Sequence, residues 1–239
     1  MNPVRQIAFG YSTQCNIRCG HCVAAGASPG TARMDLDRAK DIIQEMARCH
    51  VTGISFTAGE PLLFFDDICK LIQLCRKNGI YSRIVTNGYW AKTREHTDRV
   101  VSGLIWQFLS IIQLSYSCWR QRHVKRENIV HAALSCKKLG LDYFISFVTD
   151  FSEKDDSFEQ FLRDHHLKFF PEPVIYFGRA GELDRPRVFT DYPPNVCSMN
   201  PYLSPELDMF TCCDGANRFL KTHFLYLGNL RDDNIDALF

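Results

Sequence analysis

Three absences bound this sequence before any motif is considered. No apolar run approaches the length needed to cross a bilayer, and residues 1–11 lack the long apolar core of a secretion signal. The cytoplasm is therefore the expected location, and no membrane partner is expected. Charge of one sign is not in excess either. The 28 basic and 27 acidic side chains leave a formal net charge of +1, which argues against a nucleic-acid partner, whose binders carry a basic footprint. Internal repeats and low-complexity segments are missing too. What remains is an ordinary globular composition, 46% hydrophobic and 23% charged over 239 residues. That length suits one large α/β domain, alone or with a small appendage.

Cysteine departs from this ordinary picture. Eleven cysteines in a chain with no export signal point away from disulfides and toward metal binding or catalysis. The odd count also excludes complete pairing. Cys49, Cys69, Cys75 and Cys136 fall in helix-like or apolar surroundings and read as packing residues, since a free cysteine behaves there as a small hydrophobe.

Short β-type runs alternate with longer amphipathic stretches. Strands are expected over 7–12, 51–57, 80–86, 109–116, 141–148 and 167–176, with Pro171 and Pro173 making the sixth irregular. Helices are expected over 35–49, 66–78, 93–102, 124–139 and 157–164, with Asp35 as a cap and Asn78-Gly79 and Gly140 as stops. Six β–α steps predict a parallel sheet with right-handed crossovers, either open and doubly wound or rolled into a partial barrel. Both closures place ligands at the carboxyl ends of the strands. Beyond about residue 180 the pattern changes to a proline-rich linker and a short tail of little helical character.

Directly after the first expected strand comes Cys15-Asn-Ile-Arg-Cys19-Gly-His-Cys22. Three thiolates on one loop can converge on a metal centre. Zinc is one reading, with His21 as a fourth ligand, although a structural zinc site favours ligands that are not adjacent in the chain. An iron–sulfur cluster suits the spacing better, and three cysteines rather than four leave one iron open. The Cx3Cx2C pattern resembles the signature of the radical S-adenosylmethionine (SAM) superfamily. That resemblance implies a partial (β/α)6 TIM-like barrel over residues 1–180. It also implies a [4Fe–4S] cluster on Cys15, Cys19 and Cys22 whose open iron binds SAM. The residue before the last cysteine is usually aromatic in the family; here it is His21, whose flat ring suits packing beside the adenine.

Other strand ends carry the family's softer elements. Thr57-Ala58-Gly59-Glu60-Pro61 resembles its "GGEP" turn, with Ala58 in place of the first glycine. By that likeness Gly59 and Glu60 hold the SAM amino group through a charge-assisted pair. Asn87, after the third strand, implies a polar contact to SAM or substrate. Ser115 and Ser117 share a side by strand alternation, and Ser115 is expected to face the SAM ribose. Cys118 is the one mid-chain cysteine near the expected site and is carried as a candidate for catalysis. Gly178-Arg179-Ala180 resembles the family's "GRA", with the Arg179 fork reaching the SAM carboxylate.

Residues 181–239 form the expected linker and small irregular C-terminal extension, with Cys197, Cys212 and Cys213. They resemble the start of a SPASM or twitch extension, which implies one auxiliary iron–sulfur cluster at most. The function implied is a radical SAM enzyme that reductively cleaves SAM to a 5′-deoxyadenosyl radical and takes hydrogen from a peptide or natural-product substrate. Crosslinking, epimerisation and dehydrogenation are the outcomes expected of such a maturase. An external one-electron donor of flavodoxin or ferredoxin type is implied. A separate leader-peptide-binding protein would serve a peptide substrate, because the chain begins almost directly at its first strand. The alternatives are an activase of a glycyl-radical partner and a non-catalytic iron–sulfur or zinc protein.

Overall fold

The computed structural model describes residues 5–23, 32–176, 178–183, 200–212 and 225–238. Six strands alternate with five helices: β1 (Gln6–Gly10), α1 (Leu36–Arg48), β2 (Gly53–Thr57), α2 (Phe65–Lys77), β3 (Tyr81–Thr86), α3 (Arg94–Trp106), β4 (Ile111–Tyr116), α4 (Arg126–Leu139), β5 (Asp142–Thr149), α5 (Glu153–Asp164) and β6 (Phe169–Pro173). A short 3-10 turn, Pro61–Phe64, precedes α2, and a second spans Gly178–Glu182. All five pairings among β1 to β6 are parallel, and the sheet does not close. This is the expected partial barrel, with β6 as one edge.

The residues explain the elements. Asp35 accepts at Oδ1 from the amides of Asp37 (3.0 Å) and Arg38 (3.1 Å), capping α1. The buried stripe Ala39, Ile42, Ile43 and Met46 turns that helix inward. β2 reads Gly-Ile-Ser-Phe-Thr with four buried positions in a row, as a central parallel strand covered on both faces requires. Cys49, Cys75 and Cys136 are buried in the main core, and Cys69 packs against it. Boundaries shift at a few ends. α5 begins four residues before the expected start because Glu153, Asp155 and Asp156 load its first turn with acidic charge. α3 runs on to Trp106 past the expected end at 102.

The C-terminal extension adds three short strands: β7 (Tyr202–Leu203), β8 (Asp208–Phe210) and β9 (Tyr226–Asn229). β7 pairs in parallel with β1, and the next two pairings are antiparallel, so the full order is β6-β5-β4-β3-β2-β1-β7-β8-β9. Leu203, Leu207, Met209, Leu230 and Ile235 enter the same core as the barrel helices. Arg38 donates to the Leu230 carbonyl at 2.7 Å, and Glu45 accepts from the Ile235 amide at 3.0 Å, tying the extension to α1. Among the described residues no helix is long and apolar enough to cross a membrane.

Leu71 is fully buried on α2. Leu71→Ala is expected to lower unfolding free energy by about 2–5 kcal/mol, and Lys77→Ala, at the exposed end of the same helix, by less than about 0.5 kcal/mol. Urea denaturation of the two variants checks the difference.

Candidate functional site

The carboxyl ends of the barrel strands open on a cavity of about 500 Å³. The loop after β1 forms part of its wall and carries Cys15, Cys19, His21 and Cys22. Its shape is set by the turn after β2. Ala58 and Gly59 both hold left-handed backbone, at φ +63° and +54°, which strains the alanine and suits the glycine. A Cβ on Gly59 would lie 2.2 Å from the Gln14 carbonyl oxygen, so only glycine lets the turn approach the cysteine loop. The Glu60 amide then donates to that same Gln14 oxygen at 2.8 Å.

Glu60 is almost fully buried, and its carboxylate is committed. Oε1 accepts from the Thr86 hydroxyl at 2.7 Å and the Leu62 amide at 3.2 Å, and Oε2 accepts from the Asn87 amide at 2.8 Å. Burial pushes its pKa up, against the pull of these hydrogen bonds. The side chain thus locks the end of β2 to the end of β3 and is not among the residues lining the cavity. Asn87 does line it, and its amide nitrogen donates to Asn16 at 2.8 Å on the cysteine loop. A bond from Trp90 Nε1 to Thr86 Oγ1, 2.9 Å, completes the brace.

The opposite side of the loop is held by the Gly178–Glu182 turn. Gly178 sits at φ +61°, and a Cβ there would meet the Cys22 carbonyl oxygen at 2.5 Å. Arg179 donates from its backbone to the Cys22 carbonyl (3.2 Å) and from Nε to the Cys19 carbonyl (2.8 Å). Its side chain also lines the cavity. His21 is buried against Trp119, with ring centroids 5.3 Å apart. Burial, with Arg120 and Arg179 adding to it, lowers the His21 pKa to about 3, so the ring is neutral. Burial raises the thiols of Cys15 and Cys19. Cys19 is buried, Cys22 half-buried and Cys15 exposed.

Ser115 lines the cavity. Ser117 does not, because β4 ends at Tyr116 and the Ser117 hydroxyl turns to accept the Arg120 amide at 3.2 Å. Cys118 lies outside the lining. Burial and the neighbouring Asp155 push its thiol up to about 12, which opposes thiolate formation. Cys212 follows β8 on the extension and does not line the cavity. Cys197 and Cys213 lie outside the described residues.

The cavity residues that carry no sequence motif include Gln113, Arg120, Ser146 and Glu172. Gln113 stands two positions before Ser115 and shares its face by strand alternation. Ser146 pairs in register with Ser115 across β4 and β5, and its hydroxyl donates to Glu172 at 2.5 Å. The Arg120 charge acts on the Cys19 thiol, opposing the effect of burial, while its Nε is buried with no hydrogen-bond partner among the described residues. Its signal was being the first charged residue beyond the end of β4.

The family model described as "Radical SAM superfamily" matches residues 11–165. A Bacillus subtilis (strain 168) protein named "Putative peptide biosynthesis protein YydG" is 21% identical over 126 residues, covering 52% of this chain and 40% of that protein. The chain thus matches less than half the length of this curated relative. Among solved structures, polyhistidine-tagged anSMEcpe with bound AdoMet superposes with a TM-score of 0.67 at 15% identity, over 99% of this chain and 80% of that one. Streptococcus suis SuiB bound to precursor peptide SuiA gives 0.57 at 14% identity, over 98% and 64%. These likenesses to solved structures establish a common fold.

Gly59→Ala is expected to displace the cysteine loop and lower the thermal midpoint, because the new Cβ meets backbone. Ala58→Gly, one residue earlier, is expected to leave the midpoint equal or higher. Glu60→Ala leaves buried donors of β3 and the 3-10 turn unpaired, at about 1–3 kcal/mol for each. Calorimetry on the three variants tests the assignment.

Proposed function

The chain belongs to the radical SAM superfamily, and from that premise we propose that it is a peptide- or natural-product-modifying enzyme working at the cavity described above. Members of this family use a [4Fe–4S] cluster and SAM. The donor set here suits that pair. Three cysteines and no fourth among the described residues line the cavity, which would give a cluster three protein ligands and leave one iron free. Among the described residues no three His, Cys, Asp or Glu side chains gather closely enough to hold a single ion. When bound, the cluster and SAM supply a one-electron bond cleavage that yields a hydrogen-abstracting radical.

The chain's own residues prepare the ground for that chemistry. Cys15, Cys19 and Cys22 hold the cluster, on a loop fixed by Glu60, Asn87 and Arg179. Gly59 presents backbone to the SAM amino group, with Glu60 fixing that turn from behind. His21, neutral and packed at a tilt against Trp119, offers a flat face beside the adenine. Ser115 suits the ribose, and Arg179 or its neighbour Arg120 suits the carboxylate. Ile17, Val23, Val85 and Val148 line the same cavity and limit water near the reacting carbon. Cys118 is kept as a candidate for catalysis once substrate is bound. A peptide substrate is supported by the likeness to the Bacillus peptide biosynthesis protein and to SuiB bound to its precursor peptide. An external one-electron donor is required, and a separate leader-binding protein suits a peptide.

On this reading residues 1–180 form the catalytic barrel and 181–239 its linker and extension. Cys212, together with Cys197 and Cys213, holds at most one auxiliary cluster. The Cx3Cx2C loop on the wall of one strand-end cavity carries the proposal. Air-free protein reconstituted with iron and sulfide, then given dithionite and SAM, is expected to release 5′-deoxyadenosine. Cys19→Ala is expected to lose the cluster's visible absorption and release none; undiminished release from that variant would overturn the assignment. Cys213→Ala is expected to bind less iron than wild type if the extension is metallated.

A further inference from the structure

The balance of charge over the whole chain conceals a local excess. Residues 11–23 and 110–126 contain no acidic side chain, yet they carry Arg18, Arg120, Arg122, Lys125 and Arg126, with His123 among them. The loops that follow β1 and β4 lie within these stretches. They are joined directly: His123 Nε2 lies 2.9 Å from the Arg18 carbonyl oxygen. Two of the cations are used internally. Arg120 faces the cavity and the Cys19 thiol, and Arg126 stacks its guanidinium 5.1 Å from the rings of Phe158 and Phe161. Arg18, Arg122, His123 and Lys125 are exposed. Among the described residues none of the ion pairs involves them. The first acidic residue after this stretch is Glu127, on the first turn of α4.

We propose that this basic patch is the docking surface for an acidic one-electron carrier protein, of flavodoxin or ferredoxin type, that reduces the cluster. The inference rests on the reading that Cys15, Cys19 and Cys22 hold that cluster. Position supports the assignment. Exposed Arg18 directly precedes Cys19, so the patch reaches within one residue of a cluster ligand along the chain. Charge supports it as well. Unpaired cations around an electron's entry point steer an anionic partner and orient it on encounter. The electron count is simple: the carrier loses one electron, the cluster gains one, and no bond of the docking surface changes.

Reversing charge at Arg122 and Lys125 tests this, since neither residue is assigned to the cavity. The double variant Arg122→Glu/Lys125→Glu is compared with Lys77→Glu/Lys137→Glu. The latter changes net charge equally at exposed helix positions outside the patch. Stopped-flow reduction of the reconstituted cluster by reduced flavodoxin, and separately by reduced ferredoxin, is followed at low ionic strength. For at least one carrier the patch variant is expected to lower the second-order rate constant by about tenfold or more and to flatten its salt dependence. The control variant is expected to stay near wild type. The extent of reduction by excess dithionite, read by electron paramagnetic resonance, is expected to match wild type in both variants. Equal rates with both carriers, or an equal fall in the control, would overturn the docking surface. A wild-type cluster that dithionite cannot reduce would instead overturn the function on which it rests.

Discussion

A single buried carboxylate organises the cavity end of this barrel. Glu60 joins the ends of β2 and β3 through Thr86, Asn87 and Leu62, and its own amide joins both to the cysteine loop at Gln14. Its burial raises the cost of the charge, and the three hydrogen bonds offset that cost. Remove them and three strand-end loops lose their common anchor. The left-handed pair Ala58-Gly59 is tolerated because this anchor over-determines the turn. The cavity therefore depends less on its lining than on one side chain just behind the wall.

The second support comes from the far end of the barrel sequence. Arg179 grips the carbonyls of Cys19 and Cys22, so the loop is clamped by residues that follow β2, β3 and β6. On the proposed reading, a loop that holds a cluster with an open corner has no fourth thiolate to fix its shape. Here the missing constraint is replaced by backbone hydrogen bonds from neighbouring loops. Arg120 and Arg179 set positive charge against the burial that raises the Cys19 thiol.

Much of this was legible in the residues. The spacing of Cys15, Cys19 and Cys22 marked the loop, and alternating strand and helix patterns gave the parallel sheet, because both signals are local. What escaped depended on direction. Ser115 and Ser117 look equivalent in a strand, but β4 stops between them and Ser117 turns to cap the next loop. Glu60 was marked, yet its commitment to Thr86 and Asn87 required knowing how β2 and β3 pair. Gln113, Ser146 and Glu172 come from three strands that meet only through register. Arg120 sits in a loop whose many basic residues look alike until packing separates them. The extension's strands were hidden because β7 to β9 have two, three and four residues, too short for a periodic signal.

Among the described residues β6 ends the open sheet as an unpaired edge, and its two prolines acquire a purpose there. Lys168 accepts from Ile145 and Val174 donates to Thr149, so even-numbered backbone positions face β5 and odd-numbered ones face outward. Pro171 and Pro173 occupy outward positions, where a proline has no hydrogen to donate. Within β6 only Phe169 retains an outward N–H. Such an edge is a poor template for a strand from another molecule. The barrel can stay unclosed without inviting self-association into extended sheets.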